Sequence, residues 1–328
     1  RVAQEYSVNP RLLLAVLESQ SGWVTQARIE GEKKDYPIIR LEEWRKGLYY
    51  QLSWAANQLN RGYYLWRVNA VGAWLLPNGD LVPLDPHINA GTAGIQYLFS
   101  LIYDRSAWDQ IVSAHGLEDT YQALFGSPFV DLHQDPVVPV GVEQPQMQLP
   151  FEPGVEWAFT GGPHGGWGDG SAWAALDFAP PGGALGCVQS NAWVVAVADG
   201  LIVRSGSGEV IQDIDETGAK QMDGLEQTGW VVLYMHIESR DRVQPGDYVK
   251  AGDRIGHPSC EGGFSSGTHV HLARRYNGEW ISADRNLPFN LDGWISEGAG
   301  EEYNGYLKKG DLVVEAWEGF FPVNMIGR

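Results

Sequence analysis

Six prolines fall between residues 128 and 153, at positions 128, 136, 139, 145, 150 and 153. Proline fixes φ and lacks a backbone N–H, so neither a helix nor a central strand can run through this stretch. The chain is thereby divided into two parts that must build separate cores, and the parts carry different hydrophobic periods. Before Pro128 the period is helical. Asn9 and Pro10 read as N-cap and first helical position, followed by Leu13, Leu14 and Leu17. Residues 51–67 and 92–104 repeat the pattern, with Ile95, Leu98, Phe99 and Ile102 at i, i+3, i+4 and i+7, and residues 108–112 add a short helix. Beyond Pro153 come short β runs broken by glycine, over 194–197, 201–203, 230–234, Val249, 254–255 and 270–272. Residues 209–229 read as an inserted hairpin tip or loop. The expected fold class is α+β in two domains: an all-α domain over 1–127, a Pro-rich linker over 128–153 and a mainly antiparallel β domain over 154–328.

Length supports the division, since 328 residues are long for one core and natural for two. The 41 acidic against 23 basic residues give a net charge of −18. That balance excludes nucleic acid and anionic lipid as general partners, because phosphate binding needs clustered Lys and Arg. The apolar runs fall short of the roughly 20 residues a membrane-spanning helix requires. The chain begins at Arg1 with no charged-then-apolar leader, and so reads as a mature or trimmed sequence whose targeting segment has been removed. Its two cysteines, Cys187 and Cys260, read as one disulfide of an oxidising compartment, in preference to two separate buried thiols.

The second half also holds four histidines and an aspartate suited to a metal: His164, Asp177, His236, His269 and His271. His269 and His271 stand at i and i+2, which on a strand points both imidazoles to one face. His164 and Asp177 can add ligands from a loop and the strand after it. Two histidines and one carboxylate suit zinc and leave a fourth position for water. Other chemistries fail on context. Gly263-Phe264-Ser265-Ser266-Gly267 fits the pattern of a serine nucleophile elbow, yet no histidine follows His271 to complete a triad, and His-Glu-x-x-His is absent. His87, His115 and His133 have no partners in sequence and read as surface or core residues. His257 reads as a cap on the turn before Pro258.

The segments holding His164 and Asp177, Tyr-Met-His-Ile with His236, residues 243–256 and Ser-Ser-Gly-Thr-His-Val-His-Leu at 265–272 resemble the M23 metallopeptidases, the lysostaphin and LasA group. The resemblance runs over roughly residues 151–295. It implies a small antiparallel β fold and one zinc per chain held by His164, Asp177 and His271. It further implies that His236 and His269 line the cleft without binding the metal, and that the substrate is a peptide of bacterial peptidoglycan, often at glycine-containing bonds. Of these two, His269 is read as the base, one pleat from a ligand, and His236 as oxyanion stabiliser or proton donor. The implied protein is an extracellular or cell-surface zinc endopeptidase. The alternative is a non-catalytic peptidoglycan-binding or regulatory protein that keeps the fold.

In the first half, Val8 to Trp23 resembles the first catalytic helix of lytic transglycosylases with a lysozyme-like fold, and Ile88-Asn89-Ala90-Gly91-Thr92 is similar to an Asn-Ala-Gly element of that family. The catalytic glutamate of that family stands directly before Ser-Gly. Here that position is Gln20, which cannot act as a general acid, and Glu18 faces another side of the helix. A helical module without transglycosylase chemistry, retaining a glycan groove, is the expectation. Trp54, Tyr63, Tyr64, Trp66 and Trp74 are candidates for sugar stacking, with core packing the preferred role for most.

Overall fold

The computed structural model describes residues 1–129, 136–182, 185–214 and 222–328. The chain forms two compact units, Arg1–Gln134 with Trp167–Ser171, and Asp135–Gly166 with Ala172–Arg328.

The first unit is built on helices α1 (Val2–Tyr6), α2 (Pro10–Ser21), α3 (Leu48–Arg67), α4 (Ala90–Ser100), α5 (Arg105–Ile111) and α6 (Leu117–Phe125), with a hairpin of β1 (Ala73–Leu75) and β2 (Leu81–Pro83). Helix α2 starts where sequence places it: the Asn9 side chain accepts from the Arg11 amide at 2.8 Å, Pro10 follows, and Gly22 ends the helix with φ of 68°. Asn89 caps α4 in the same way, accepting from the Thr92 amide. Helices α3 and α4 pack closely because Gly94 meets Leu59, where a Cβ would stand 2.6 Å from the carbonyl oxygen. Trp54 and Trp74 are buried in this core and Trp74 donates to Gln96, while Tyr63, Tyr64 and Trp66 are half-buried. The Gln20 side chain accepts from the Tyr103 hydroxyl at 2.9 Å, and the Glu18 carboxylate accepts from the Val24 and Thr25 amides and the Thr25 hydroxyl. Glu18 thus closes the loop after α2.

The second unit is a nine-stranded antiparallel sheet in the order β17-β3-β4-β11-β8-β7-β6-β9, with β12 paired to β11. Its strands are β3 (Trp157–His164), β4 (Ala175–Ala179), β6 (Gly200–Gly206), β7 (Glu209–Asp213), β8 (Trp230–Met235), β9 (Tyr248–Val249), β11 (Val270–Tyr276), β12 (Glu279–Trp280) and β17 (Met325–Ile326). Strands β5 (Val194–Val195) and β10 (Arg254–Gly256) pair separately. A second sheet joins β13 (Asn290–Leu291), β14 (Trp294–Gly298), β15 (Gly305–Lys309) and β16 (Leu312–Glu315). The core lies on the large sheet, around Phe151, Phe159, Phe178, Tyr234, Val270 and Leu272.

Three features depart from the sequence expectation. Residues 209–213 are not a loop: they form β7, paired on both sides. Charged ends hide this strand from a hydropathy reading, since Glu209 and Asp213 are buried by partners elsewhere in the chain. Residues 215–221 of the expected loop lie outside the described residues, as does His133. Met147, Leu149 and Phe151, inside the Pro-rich stretch, are buried in the core, and the Leu149 amide donates to Asp292. His164 ends a strand rather than lying in a loop.

Beneath the sheet sits a buried charge cluster. Arg204 binds Glu226 at 2.6 and 2.9 Å and also Glu209, and Arg275 donates to Glu226 at 2.8 Å. Burial alone would raise the Glu226 carboxyl, but Arg204 and Arg275 outweigh it and hold the group below its ordinary value. A depressed carboxyl stabilises the fold above its unfolded value and loses that contribution as pH falls through the folded one. Glu226→Gln is expected to destabilise the protein by about 3–5 kcal/mol at neutral pH, by removing the buried negative charge that Arg204 and Arg275 share. Acid titration of thermal stability is expected to show a shallower loss below pH 4.5 in the variant, and parallel profiles would refute this role.

Candidate metal centre

The centre is laid out by strand register. Asp177 on β4 and His271 on β11 are directly opposed, and Gly161 on β3 opposes Asp177 from the other side. Directly opposed residues of an antiparallel pair face the same way, so the carboxylate and the imidazole converge without any loop. His269 precedes His271 by two residues and shares its face. On the far side of β11, His271 is opposed by Met235, and His236 follows at the end of β8. The register of β3 shifts between Gly161 and His164, which brings His164 over the same edge. Four neighbouring strands therefore carry the five sequence candidates to one end of the sheet.

His164, Asp177 and His271 form a tight triangle. His164 Nε2 and His271 Nδ1 are 2.9 Å apart, and each lies 3.2 Å from Asp177 Oδ1. A tetrahedral zinc with bonds of about 2.0–2.2 Å separates its ligand atoms by about 3.4 Å, so the triangle fits that ion closely. The second nitrogens are both occupied: His164 Nδ1 donates to the Gly162 carbonyl at 2.8 Å and His271 Nε2 to the Gly166 carbonyl at 3.1 Å. With their protons held there, the two neutral rings aim lone pairs at the same point as the carboxylate. Asp177 Oδ1 is buried and has no well-aligned hydrogen bond. Three acceptors meeting in a buried space call for a cation.

The buried carboxylate dominates the electrostatics of the triangle. Burial works against a charged His164, but Asp177 outweighs it and raises the imidazole above its ordinary value. Burial would likewise raise Asp177, yet His164 and His269 hold its carboxyl well below the usual range. Burial lowers His271 despite its contact with Asp177.

His236 and His269 stand apart from the triangle and close to each other, with ring centroids 4.5 Å apart. Each ties Nδ1 to a backbone carbonyl, His236 to Glu261 at 2.9 Å and His269 to Gly267 at 2.7 Å. Each therefore presents Nε2 as an acceptor, and that of His269 is 3.7 Å from Asp177 Oδ1. His236 adopts φ of 66°, a left-handed conformation that a non-glycine residue holds only when its surroundings enforce it. Burial, with the neighbouring imidazoles of His269 and His271, pushes it down to about 3, so it rests neutral. A donor role for His236 thus requires that it first accept a proton.

Sequence reasoning missed Tyr303, which follows the second strand of the small sheet and carries no periodic signal. Its amide donates to Pro163 and its carbonyl accepts from Gly162, which stacks its ring on His164 with centroids 4.2 Å apart. Burial, with Asp177 and Glu302 nearby, pushes its hydroxyl up to about 12, so it remains an O–H donor. The expected disulfide is present: Cys187 and Cys260 are bonded with Cα atoms 5.7 Å apart. The loop it closes corresponds to about 4 kcal/mol in the chain-entropy account. His257 is not a turn cap. It is buried against Trp193, with Nδ1 donating to the Ala192 carbonyl. His87 and His115 are exposed beside Asp85 and Asp119.

Residues 178–283 match the family model described as peptidase family M23, and residues 1–137 match that of the LasA N-terminal domain. Over residues 178–283 the second unit is similar to peptidase family M23. The M23 match includes His236, His269 and His271 and begins one residue after Asp177. Protease LasA of Pseudomonas aeruginosa is 24% identical over 299 residues, covering 84% of this chain and 65% of that protein. The chain thus spans just under two thirds of that relative's length. Beta-lytic metalloendopeptidase of Achromobacter lyticus is 28% identical over 166 residues, 48% of this chain and 40% of that protein. Among solved structures, the M23 metalloprotease pseudoalterin, described as from the deep sea, is 26% identical with a TM-score of 0.43, covering 54% of this chain and 99% of that one.

Metal analysis after dialysis against zinc is expected to find one ion in this centre, lost in His164→Ala and His271→Ala and retained in His269→Ala. Retention of zinc by His271→Ala would remove that residue from the ligand set.

Proposed function

We propose that this chain is a zinc-dependent endopeptidase that hydrolyses peptide bonds of bacterial peptidoglycan, glycine-containing cross-links among them, outside the cell. The observation that carries the reading is the pairing of a three-acceptor triangle with two further imidazoles whose Nδ1 atoms are each tied to a backbone carbonyl. A regulatory protein that only keeps the fold has no need of His236 and His269 in this state. The family match and the resemblance to LasA and beta-lytic metalloendopeptidase support the peptidase class. An exposed disulfide loop supports an oxidising, extracellular setting. Among the described residues no helix is long and apolar enough to cross a membrane.

His164 Nε2, Asp177 Oδ1 and His271 Nδ1 would hold one zinc ion per chain, which when bound acidifies water and polarises a carbonyl. The remaining work falls to the chain's own groups. His269 Nε2 takes a proton from the attacking water as the new C–O bond forms at the scissile carbonyl. The C–N bond then breaks, and the imidazolium returns that proton to the departing amine nitrogen. His236, neutral at rest, shares the acceptor role and donates only once charged. The Tyr303 hydroxyl supplies a neutral donor beside the ligands for the developing oxyanion. The Gly162, Gly166, Glu261 and Gly267 carbonyls fix the tautomers on which this order depends.

For the first unit we propose glycan contact through the half-buried Tyr63, Tyr64 and Trp66, since Trp54 and Trp74 are committed to the core. No transglycosylase step is assigned to it, because Gln20 is an amide and Glu18 is held by Val24 and Thr25.

Incubation of the zinc-loaded chain with purified peptidoglycan is expected to release new amino termini and no new reducing ends. His269→Ala is expected to lower kcat by about 10²–10⁴-fold with zinc retained. Zinc binding without release of amino termini from any wall type or oligoglycine would leave a binding protein instead.

A further inference from the structure

Several neighbours hold the turn that starts at His236, with the Ile237 amide donating to the Gly208 carbonyl and the Glu238 amide to the His257 carbonyl, and residues 259–262 supply the contacts to the His236 ring and carbonyl. The Glu261 carbonyl receives His236 Nδ1 at 2.9 Å. The carboxylate of the same residue accepts from the Ser239 amide at 2.9 Å and the Ser239 hydroxyl at 3.0 Å, three residues beyond His236. Its other oxygen lies 3.5 Å from Arg242 Nη1, which also donates to the Ile237 carbonyl. The His236 carbonyl, in turn, accepts from the Ser259 amide and hydroxyl. Glu261 thus grips the imidazole with its main chain and the turn after His236 with its side chain.

The segment that carries Glu261 has little freedom of its own. A Cβ on Gly208 would stand 2.4 Å from the Glu261 carbonyl carbon, and one on Gly262 would stand 2.7 Å from Met235 Sδ. Glu261 is therefore wedged between the β6–β7 turn and the end of β8, and Cys260 beside it is bonded to Cys187. A rigid acceptor is what a left-handed imidazole with one fixed tautomer needs, because the ring nitrogen facing the cleft is set by the nitrogen facing the carbonyl.

We propose that Glu261 is a positioning residue for His236, acting through Ser239 to hold the 236–239 turn against the carbonyl that fixes the ring. The inference rests on the peptidase reading for its kinetic consequence and on geometry alone for its structural one. Glutamine keeps an oxygen acceptor for Ser239, and alanine keeps none, so the two substitutions separate the hydrogen bond from the mere presence of a side chain.

The test uses the full zinc-loaded chain with three readouts: zinc content, kcat and KM on a peptide that the parent cleaves, and the His236 Nδ1–H resonance in nitrogen-correlated NMR. In Glu261→Ala, zinc content and KM are expected to stay within about twofold, kcat to fall about 10–100-fold, and the Nδ1–H resonance to exchange away. Glu261→Gln is expected to restore the resonance and to return kcat to within about threefold of the parent. An unchanged resonance in Glu261→Ala, a glutamine variant no better than alanine, or loss of zinc in both would each overturn the proposal. If the parent cleaves nothing, the peptidase reading fails on its own, and the resonance still decides the role of Glu261.

Discussion

The centre depends first on the register between β4 and β11. Asp177 and His271 are opposed residues of one ladder, and every other member of the site is placed by reference to that pair: Gly161 beside it on β3, Met235 beside it on β8, His269 one pleat away. Side chains alternate strictly between the faces of a sheet, so a slip of one residue would turn the carboxylate and the imidazole to opposite sides. The core fixes the register. Phe178 opposes Val270 and Leu176 opposes Leu272, all fully buried, so the residues flanking the ligands cannot move to the other face without exposing the apolar set. The hydrophobic effect thus positions charged groups it does not itself stabilise.

That arrangement carries an electrostatic cost. Asp177 is buried, and an uncompensated carboxylate in such a place is costly. The chain solves the same problem differently beneath the sheet, where Glu226 is matched by two guanidiniums and the cluster needs no external ion. At the centre the partners are imidazoles whose protons are drawn away by Gly162 and Gly166, so the charge there is left for a cation to balance. One buried carboxylate is matched within the chain and the other is not, and the distinction lies in where the neighbouring protons point.

Sequence carried the helical and β halves because each has a clean period, and it carried the five polar residues because their types are rare and their spacing informative. It could not carry what depends on pairing between distant segments. Strand β7 reads as a loop because Glu209 and Asp213 look exposed until Arg204 and the neighbouring strands enclose them. Met147, Leu149 and Phe151 look like linker because prolines surround them, although alternating apolar residues there already have strand character. Tyr303 left no trace at all: its importance comes from a main-chain exchange with Gly162 and Pro163, which any residue could make, and only its ring distinguishes it.

The two imidazoles outside the triangle show why rigidity and protonation are one question here. A histidine with both nitrogens in water exchanges tautomers freely, and a base chosen by chance from two forms is correctly oriented only part of the time. Anchoring Nδ1 to a carbonyl removes one form at both rings, and at His236 burial with the neighbouring imidazoles also disfavours the charged one. The anchoring requires an immobile carbonyl, and that of Glu261 is packed directly against Gly208. Glycine there does not loosen the site. At Gly262 it permits the close approach to Met235 that a side chain would forbid, so the same residue type that sequence reads as flexible becomes, once packed, a source of the stiffness the imidazoles need.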